Sequence, residues 1–200
     1  MDSAKFDTDF FEDHLFKICT SESFRKCEGI IGEVPFFIAP YPVMKSVQVL
    51  ERIKRLDVRL KKSGVKILTL SLYDLMIEML EENQLLKRII DDESAIEEDS
   101  LREVLNNITD PELNFVDHIA SKLANQDFDV LFVKDSGMMH PYFRLHTLLN
   151  SLQSVAEGFP SIFFFSGTYV QSDKGSYLSL FGRLKSENYY RAFNILERVV

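Results

Sequence analysis

The chain has 200 residues, of which 46% are hydrophobic, with 17 Phe and no Trp. That is enough apolar material to bury a core, and we expect a single α/β domain over residues 1–200, with an N-terminal helical segment (1–28) and a core (34–200). The net charge of −8 disfavours general binding to a phosphate backbone. No apolar run suits a membrane span or a secretion signal, so we predict a cytoplasmic protein without membrane contact.

The first element predicted is an amphipathic helix from Phe6 to about Phe24, with a second short helical piece from Ser21 to Cys27 as a further option. Its apolar side is assigned to Phe6, Phe10, Leu15, Phe16 and Ile18. Cys19 and Cys27 match neither a zinc spacing nor a disulfide framework, so we interpret them as reduced thiols.

Four short apolar runs then follow at wide spacing. They are 36–38, 67–70, 130–133 and 162–165, each apolar without alternation and each bounded by polar or turn residues. Strands buried on both faces have this pattern, which is typical of parallel sheets covered by helices. A further segment, 177–181, is predicted as an edge strand or hairpin arm. The fold predicted is a Rossmann-like three-layer α/β domain with a mostly parallel sheet of about five strands flanked by helices.

Helices are predicted between the strands. One runs from Pro42 to Gly64, and Ser71 is a candidate N-cap for the next. Asp110-Pro111 divides two more, and others are expected over 141–156 and 186–196. The buried stripe of the 42–64 helix is assigned to Val43, Val47, Leu50, Ile53, Leu56 and Leu60.

The 42–64 helix is also strongly basic, since seven basic residues between 45 and 62 accompany only two acidic ones. Between 78 and 99 the balance reverses, with nine acidic residues and two basic ones. A helical spacing places five of the bases on one face, opposite the apolar stripe. This face is either a solvated surface or a docking surface for an acidic partner or a nucleic-acid backbone. The five residues are Lys45, Arg52, Arg55, Arg59 and Lys62.

The carboxyl ends of the predicted strands carry small and polar residues, where parallel sheets bind ligands. They are Pro40-Tyr41, Ser71 with Asp74, Asp135-Ser136-Gly137 and 166–169. Ordinary strand-to-helix turns need the same residue types, so these residues are either ligand-binding loops or turns. A phosphate-binding P-loop, a dinucleotide fingerprint and a nucleophile elbow are absent from the sequence. One hypothesis is a hydrolase centred on His146, Asp135 and Ser136, but a buried structural role for the histidine explains His146 as well. We therefore expect no enzyme activity, cofactor or metal.

The C-terminal third carries a set of motifs in a fixed order. Arg144, His146 and Asn150 fall within P-Y-F-R-L-H-T-L-L-N, and Gly167 with Tyr169 follows in F-F-S-G-T-Y. Phe181 and Asn188 then occur in L-F-G-R-L-K and N-Y-Y-R-A-F. In this order and spacing the chain resembles the BrxB family, the small subunit of BREX bacteriophage-defence systems, over about residues 34–193.

The resemblance implies a defence role beside a phosphatase-like PglZ subunit, a large ATPase and a DNA methyltransferase, with no enzymatic activity of its own. It favours a non-catalytic assembly subunit, with the PglZ-type subunit as the first partner expected. The alternative is a nucleotide- or nucleic-acid-binding module that uses the strand-end loops or the basic helix, although direct nucleic-acid binding is disfavoured by the net charge. Tyr189, Tyr190 and Arg191 are further candidates for partner contact, or else they pack the last helix on the sheet.

Overall fold

The central feature is a parallel sheet of five strands in the order β2-β3-β4-β1-β7. The structure is a computed structural model, and it describes residues 5–30, 34–92, 96–142, 144–172, 175–185 and 192–199. The five strands are β1 (Phe36–Tyr41), β2 (Ile67–Ser71), β3 (Val130–Lys134), β4 (Ser161–Ser172) and β7 (Phe193–Asn194). Each predicted apolar run lies in one of the first four, and every pairing between these five strands is parallel.

Strand β4 extends beyond the parallel sheet into an antiparallel hairpin. Its outer half pairs with β5 (Gly175–Leu180), which also pairs with β6 (Leu184–Lys185). Gly167 begins this pairing, and a Cβ at that position would lie 2.2 Å from the backbone oxygen of Ser179. Only glycine therefore permits this close approach of the two strands. The segment predicted over 177–181 as an edge strand or hairpin arm is a hairpin arm, since β5 pairs with β4 on one side and with β6 on the other.

Helices cover both faces of the sheet. On one face lie α1 (Thr8–Thr20), α2 (Glu22–Arg25) and α3 (Ser46–Lys62), and on the other lie α4 (Leu72–Glu82), α5 (Leu85–Asp91), α6 (Glu98–Ile108), α7 (Val116–Leu123) and α8 (Leu145–Ser151). Strand β1 shows why, because its alternating side chains divide between two cores. Phe37 and Ala39 pack with α1 and α3, whereas Phe36 and Ile38 pack with the other group. The predicted three-layer α/β architecture is confirmed.

The chain path creates a crevice at the carboxyl end of β1. Helix α3 connects β1 to β2 on one face, and the segments from β2 to β3 and from β3 to β4 cross the other face. The connection from β1 to β2 and the connections that lead back from β2 to β4 therefore cross opposite faces of the sheet, as right-handed crossovers require. Strands β1 and β4 are neighbours; β1 is followed by α3, whereas β4 continues into the hairpin with β5. Open α/β sheets place ligands outside the carboxyl ends of such strands.

Two helix starts were predicted correctly. The Ser71 hydroxyl accepts a hydrogen bond from the Asp74 amide at 3.1 Å at the start of α4. The Asp110 carboxylate accepts one from the Glu112 amide at 2.8 Å, at the start of a π-helical segment (Pro111–Phe115) that leads into α7.

Other helix predictions were wrong in part. Residues 193–197 form β7 and a 3-10 turn (Ile195–Glu197) where a helix over 186–196 was predicted, because the edge of β1 offers backbone partners there. Residues 186–191 of that prediction lie outside the described residues. The helix predicted over 141–156 is α-helical only in α8.

Two assignments of buried faces were also wrong. Val43 and Val47 are exposed, because Val43 precedes α3, which begins at Ser46, and the buried stripe of the helix starts at Val49 instead. In α1, Phe11 is buried and Phe10 is exposed.

Candidate interaction surface

The basic face of α3 meets the acidic face of α1. Glu12 lies between the two helices with only 7% of its side chain exposed. Its Oε2 accepts a hydrogen bond from Arg52 Nη1 at 3.2 Å and lies 3.8 Å from Arg55 Nε, while its Oε1 lies 3.6 Å from Arg59 Nη1. Three guanidinium groups thus surround one buried carboxylate, and the charge that Glu12 brings into the core is compensated.

Two exposed carboxylates extend this network at its edges. Asp9 Oδ1 is 2.6 Å from Arg52 Nη1, and Asp13 Oδ1 is 2.5 Å from Arg59 Nη1. The hydrogen bond from Arg59 lowers the pKa of Asp13, and the hydrogen bond to Glu12 raises the pKa of Arg52. Both directions favour the charged forms, so the network holds α1 against α3 at neutral pH.

The sequence did not reveal that these arginines form ion pairs with carboxylates of α1 in the same chain. Arg52, Arg55 and Arg59 lie on the flank of α3 that faces α1, and not opposite the apolar stripe as predicted. A signal was present, since the spacing of Asp9, Glu12 and Asp13 along one helix complements that of the arginines.

Lys45 and Lys62 differ from the arginines. Within the described part of the chain, no carboxylate lies within 4.0 Å of either ammonium group, nor of Lys54. These three lysines therefore carry the positive charge of α3 that α1 leaves uncompensated.

An open groove of about 670 Å³ runs along α3 beside α1. Val58 is exposed on its wall, and the Arg59 guanidinium lies 3.9 Å above the Phe16 ring on the other side. Its lining is mainly apolar and basic, with Ser63 and the largely buried Glu12 beside Phe16, Lys54, Arg55, Val58, Arg59 and Lys62.

A second exposed region lies at the opposite end of α3. Met44 is 82% exposed and Val47 is 73% exposed, and Val43 lies beside them in sequence. Apolar side chains grouped in this way are unusual on a surface that faces only water.

At the carboxyl ends of β3 and β4, polar side chains are engaged with each other. Lys134 Nζ donates to Asp135 Oδ2 at 2.8 Å, and the Ser136 hydroxyl donates to the Phe164 carbonyl at 3.1 Å. Asp135 and Ser136 thus make contacts that do not involve His146, the third member of the hydrolase hypothesis. Burial, followed by the charge of Asp135, raises the pKa of Tyr41 to about 12.

A cavity of about 720 Å³ lies in the crevice beside β1 and β4. Pro40 of β1, Thr168 of β4 and Phe10 of α1 contribute to its wall, together with Asn194 and Glu197 near the end of the chain. Its volume is in the range of small-molecule sites, and its position is the one expected for a ligand of an open α/β sheet.

Comparison with known proteins identifies the family. The family model described as "BREX protein BrxB" matches residues 68–195. A protein named BREX protein BrxB from Bacillus cereus (strain H3081.97) is 34% identical over 191 residues, covering 93% of this chain and 96% of that protein. A second, from Escherichia coli O9:H4 (strain HS), is 33% identical over 177 residues, covering 88% and 84%. This chain belongs to the BrxB family. No solved structure matches it at a significant level.

The BrxB motif residues occupy two places in the fold. Arg144, His146 and Asn150 lie at or within α8, with Arg144 and Asn150 exposed. Partial burial, followed by the charge of Arg144, lowers the pKa of His146. His146 and Asn150 are one turn apart on α8, and Arg144 immediately precedes its first residue.

The other BrxB motif residues lie on the β4–β5 hairpin. Gly167 permits the hairpin to close, and the Tyr169 hydroxyl donates to the Ala192 carbonyl at 3.1 Å, which fastens β4 to the segment before β7. The Phe181 amide donates to the Ser166 carbonyl at 2.9 Å, and its φ of 56° gives the turn after β5. These three residues stabilise the structure around the crevice. Asn188, Tyr189, Tyr190 and Arg191 lie outside the described residues.

Two further observations concern the described part of this BrxB protein. None of its helices combines the length and the apolar character needed to cross a bilayer. In the same residues, no three His, Cys, Asp or Glu side chains come together as a group able to hold a metal ion.

Proposed function

We propose that this chain is a non-catalytic assembly subunit of a BREX anti-phage defence system. In this role it bridges a PglZ-type, phosphatase-like subunit and other components, with the ATPase and the methyltransferase as further partners. The observation that carries the proposal is membership of the BrxB family, over most of the chain and at 33–34% identity to two proteins named as BREX proteins.

The surface of α3 supports a bridging role. A bridging subunit needs two separate contact regions, and α3 carries two of different chemistry. The apolar side chains of Met44 and Val47 lie at its start, and the basic groove with Lys54 and Lys62 lies toward its end. Exposed apolar patches mark surfaces that bind other proteins, and unpaired charges favour a partner of opposite charge.

Co-purification tests the proposal. The tagged chain is expressed with its PglZ-type, ATPase and methyltransferase neighbours, treated with nuclease, and the eluted proteins are quantified. We expect the PglZ-type subunit in stoichiometric amount, with a tagged, unrelated α/β protein of similar size as the control. Elution of the chain alone, even at low salt, would contradict the assembly role.

A second candidate function is binding of a nucleotide, which the cavity beside β1 and β4 favours. Its position and its volume of about 720 Å³ suit a mononucleotide. Thermal-shift measurements with nucleoside mono-, di- and triphosphates, and with a short single-stranded oligonucleotide, test it. A saturable rise in melting temperature that Thr168→Trp abolishes would support this function, and unchanged melting with all of them would exclude it.

A further inference from the structure

The groove between α1 and α3 has the chemistry of a peptide-binding site. Lys54 and Lys62 are exposed beside Val58 and have no carboxylate within 4.0 Å among the residues that the structure describes. Arg59 is held in place by Asp13 and by the Phe16 ring, so its guanidinium forms a fixed wall. The groove thus offers basic groups on both sides of an exposed apolar contact.

We propose that this groove receives an acidic segment of a partner protein, with its carboxylates on Lys54 and Lys62 and one apolar side chain against Val58. The inference rests on the proposed assembly role and specifies one of its contact surfaces. Charge complementarity selects the occupant, since the unpaired groups at this site are basic and the exposed contact between them is apolar.

The surroundings of the groove favour a peptide over a nucleic acid. The exposed carboxylates of Asp9 and Asp13 lie along α1, and Asp57 pairs with Lys61 on α3. A phosphate backbone continuing along α1 would meet these carboxylates, whereas a short acidic segment needs to contact only Lys54 and Lys62 on α3.

Charge reversal tests the site directly. The Lys54→Glu/Lys62→Glu variant alters exposed groups that make no described ion pair, so we expect its circular dichroism and melting temperature to match those of the wild type. We expect its affinity for the partner complex to fall by about tenfold or more, with the loss largest at low salt. Lys87→Glu/Arg88→Glu on α5 is the matched control, because it changes the net charge by the same amount at another exposed place.

Cross-linking identifies the occupant. The photoreactive residue p-benzoylphenylalanine is placed at Val58, and at exposed Met138 as the control position, in the co-expressed complex. We expect position 58 to cross-link to a segment of a partner that is rich in Asp and Glu. Cross-linking to nucleic acid or to a second copy of this chain, or no cross-linking from position 58, overturns the proposal.

The two proposals fail in different ways. If the wild-type chain does not co-purify with any BREX neighbour, the assembly role itself is refuted. If the wild type co-purifies and Lys54→Glu/Lys62→Glu co-purifies equally well, only the groove proposal is refuted.

Discussion

The buried carboxylate of Glu12 gives the sharpest test of how α1 is held on the domain. We predict that Glu12→Gln destabilises the folded chain, because it removes the one buried negative charge among three guanidinium groups. Removing one partner of a fully buried ion pair costs about 3–5 kcal/mol. Here the Arg55 and Arg59 side chains are 66% and 43% exposed, so water compensates part of the loss.

The substituted amide also retains an oxygen that accepts a hydrogen bond from Arg52. We therefore expect a decrease of about 2 kcal/mol in the free energy of unfolding. For a domain of this size that corresponds to a fall of about 4–8 °C in melting temperature. Urea unfolding followed by circular dichroism measures the first quantity, and a thermal scan of the same samples measures the second.

Asp9→Asn is the matched control. Asp9 contacts the same arginine at 2.6 Å, but its side chain is 72% exposed, so we expect a change of about 0.5 kcal/mol or less. Equal effects of the two substitutions, or no effect of Glu12→Gln, would refute the reasoning that burial makes the Glu12 contacts the important ones.

Two further predictions follow from the crevice and its hairpin. Gly167→Ala should destabilise the chain by about 3 kcal/mol or more, because its Cβ would lie 2.2 Å from the Ser179 oxygen and 2.6 Å from the Phe165 ring. Gly158→Ala, which meets nothing within 4 Å, is the control, and equal melting temperatures would contradict the prediction. Because the pKa of Tyr41 is raised to about 12, the unfolded chain releases this proton at a lower pH than the folded chain, so stability falls as the pH rises from about 10 to about 12. Urea unfolding at pH about 10 and about 12 should show a smaller loss of stability for Tyr41→Phe than for the wild type. An equal loss in the two proteins would show that Tyr41 does not contribute.

The sheet could be predicted because its signal is local. Runs such as Val130–Val133 are short, apolar at every position and rich in β-branched and aromatic residues, which is typical of a strand covered on both faces. The end of the chain shows the limit of this reasoning. Phe193 and Asn194 fit a helical period, yet they pair with Phe37 and Ile38, and that pairing depends on an open edge of β1 that no local pattern reveals.

The candidate site could be predicted only in part, for a related reason. Helical periodicity correctly placed Arg52, Arg55 and Arg59 near one another on α3. It could not show what faces them, since Glu12 lies 40 residues before Arg52 and its position is set by the packing of α1 on the sheet. The distinction between the internally paired arginines and the lysines at positions 54 and 62 therefore needed the structure.

The order of the strands has a consequence for how the chain folds during synthesis. Strand β1 pairs with β4 and β7, and the first partner residue of Phe36 is Ser161, roughly 125 residues later. At typical rates of translation β1 waits on the order of ten seconds for any neighbour. Meanwhile α1 and α3 can already associate through their charges and shield one side of the strand. The ion-paired helices thus form a local unit that covers an exposed apolar segment, and weakening them should lower the soluble yield more than the loss of equilibrium stability alone explains.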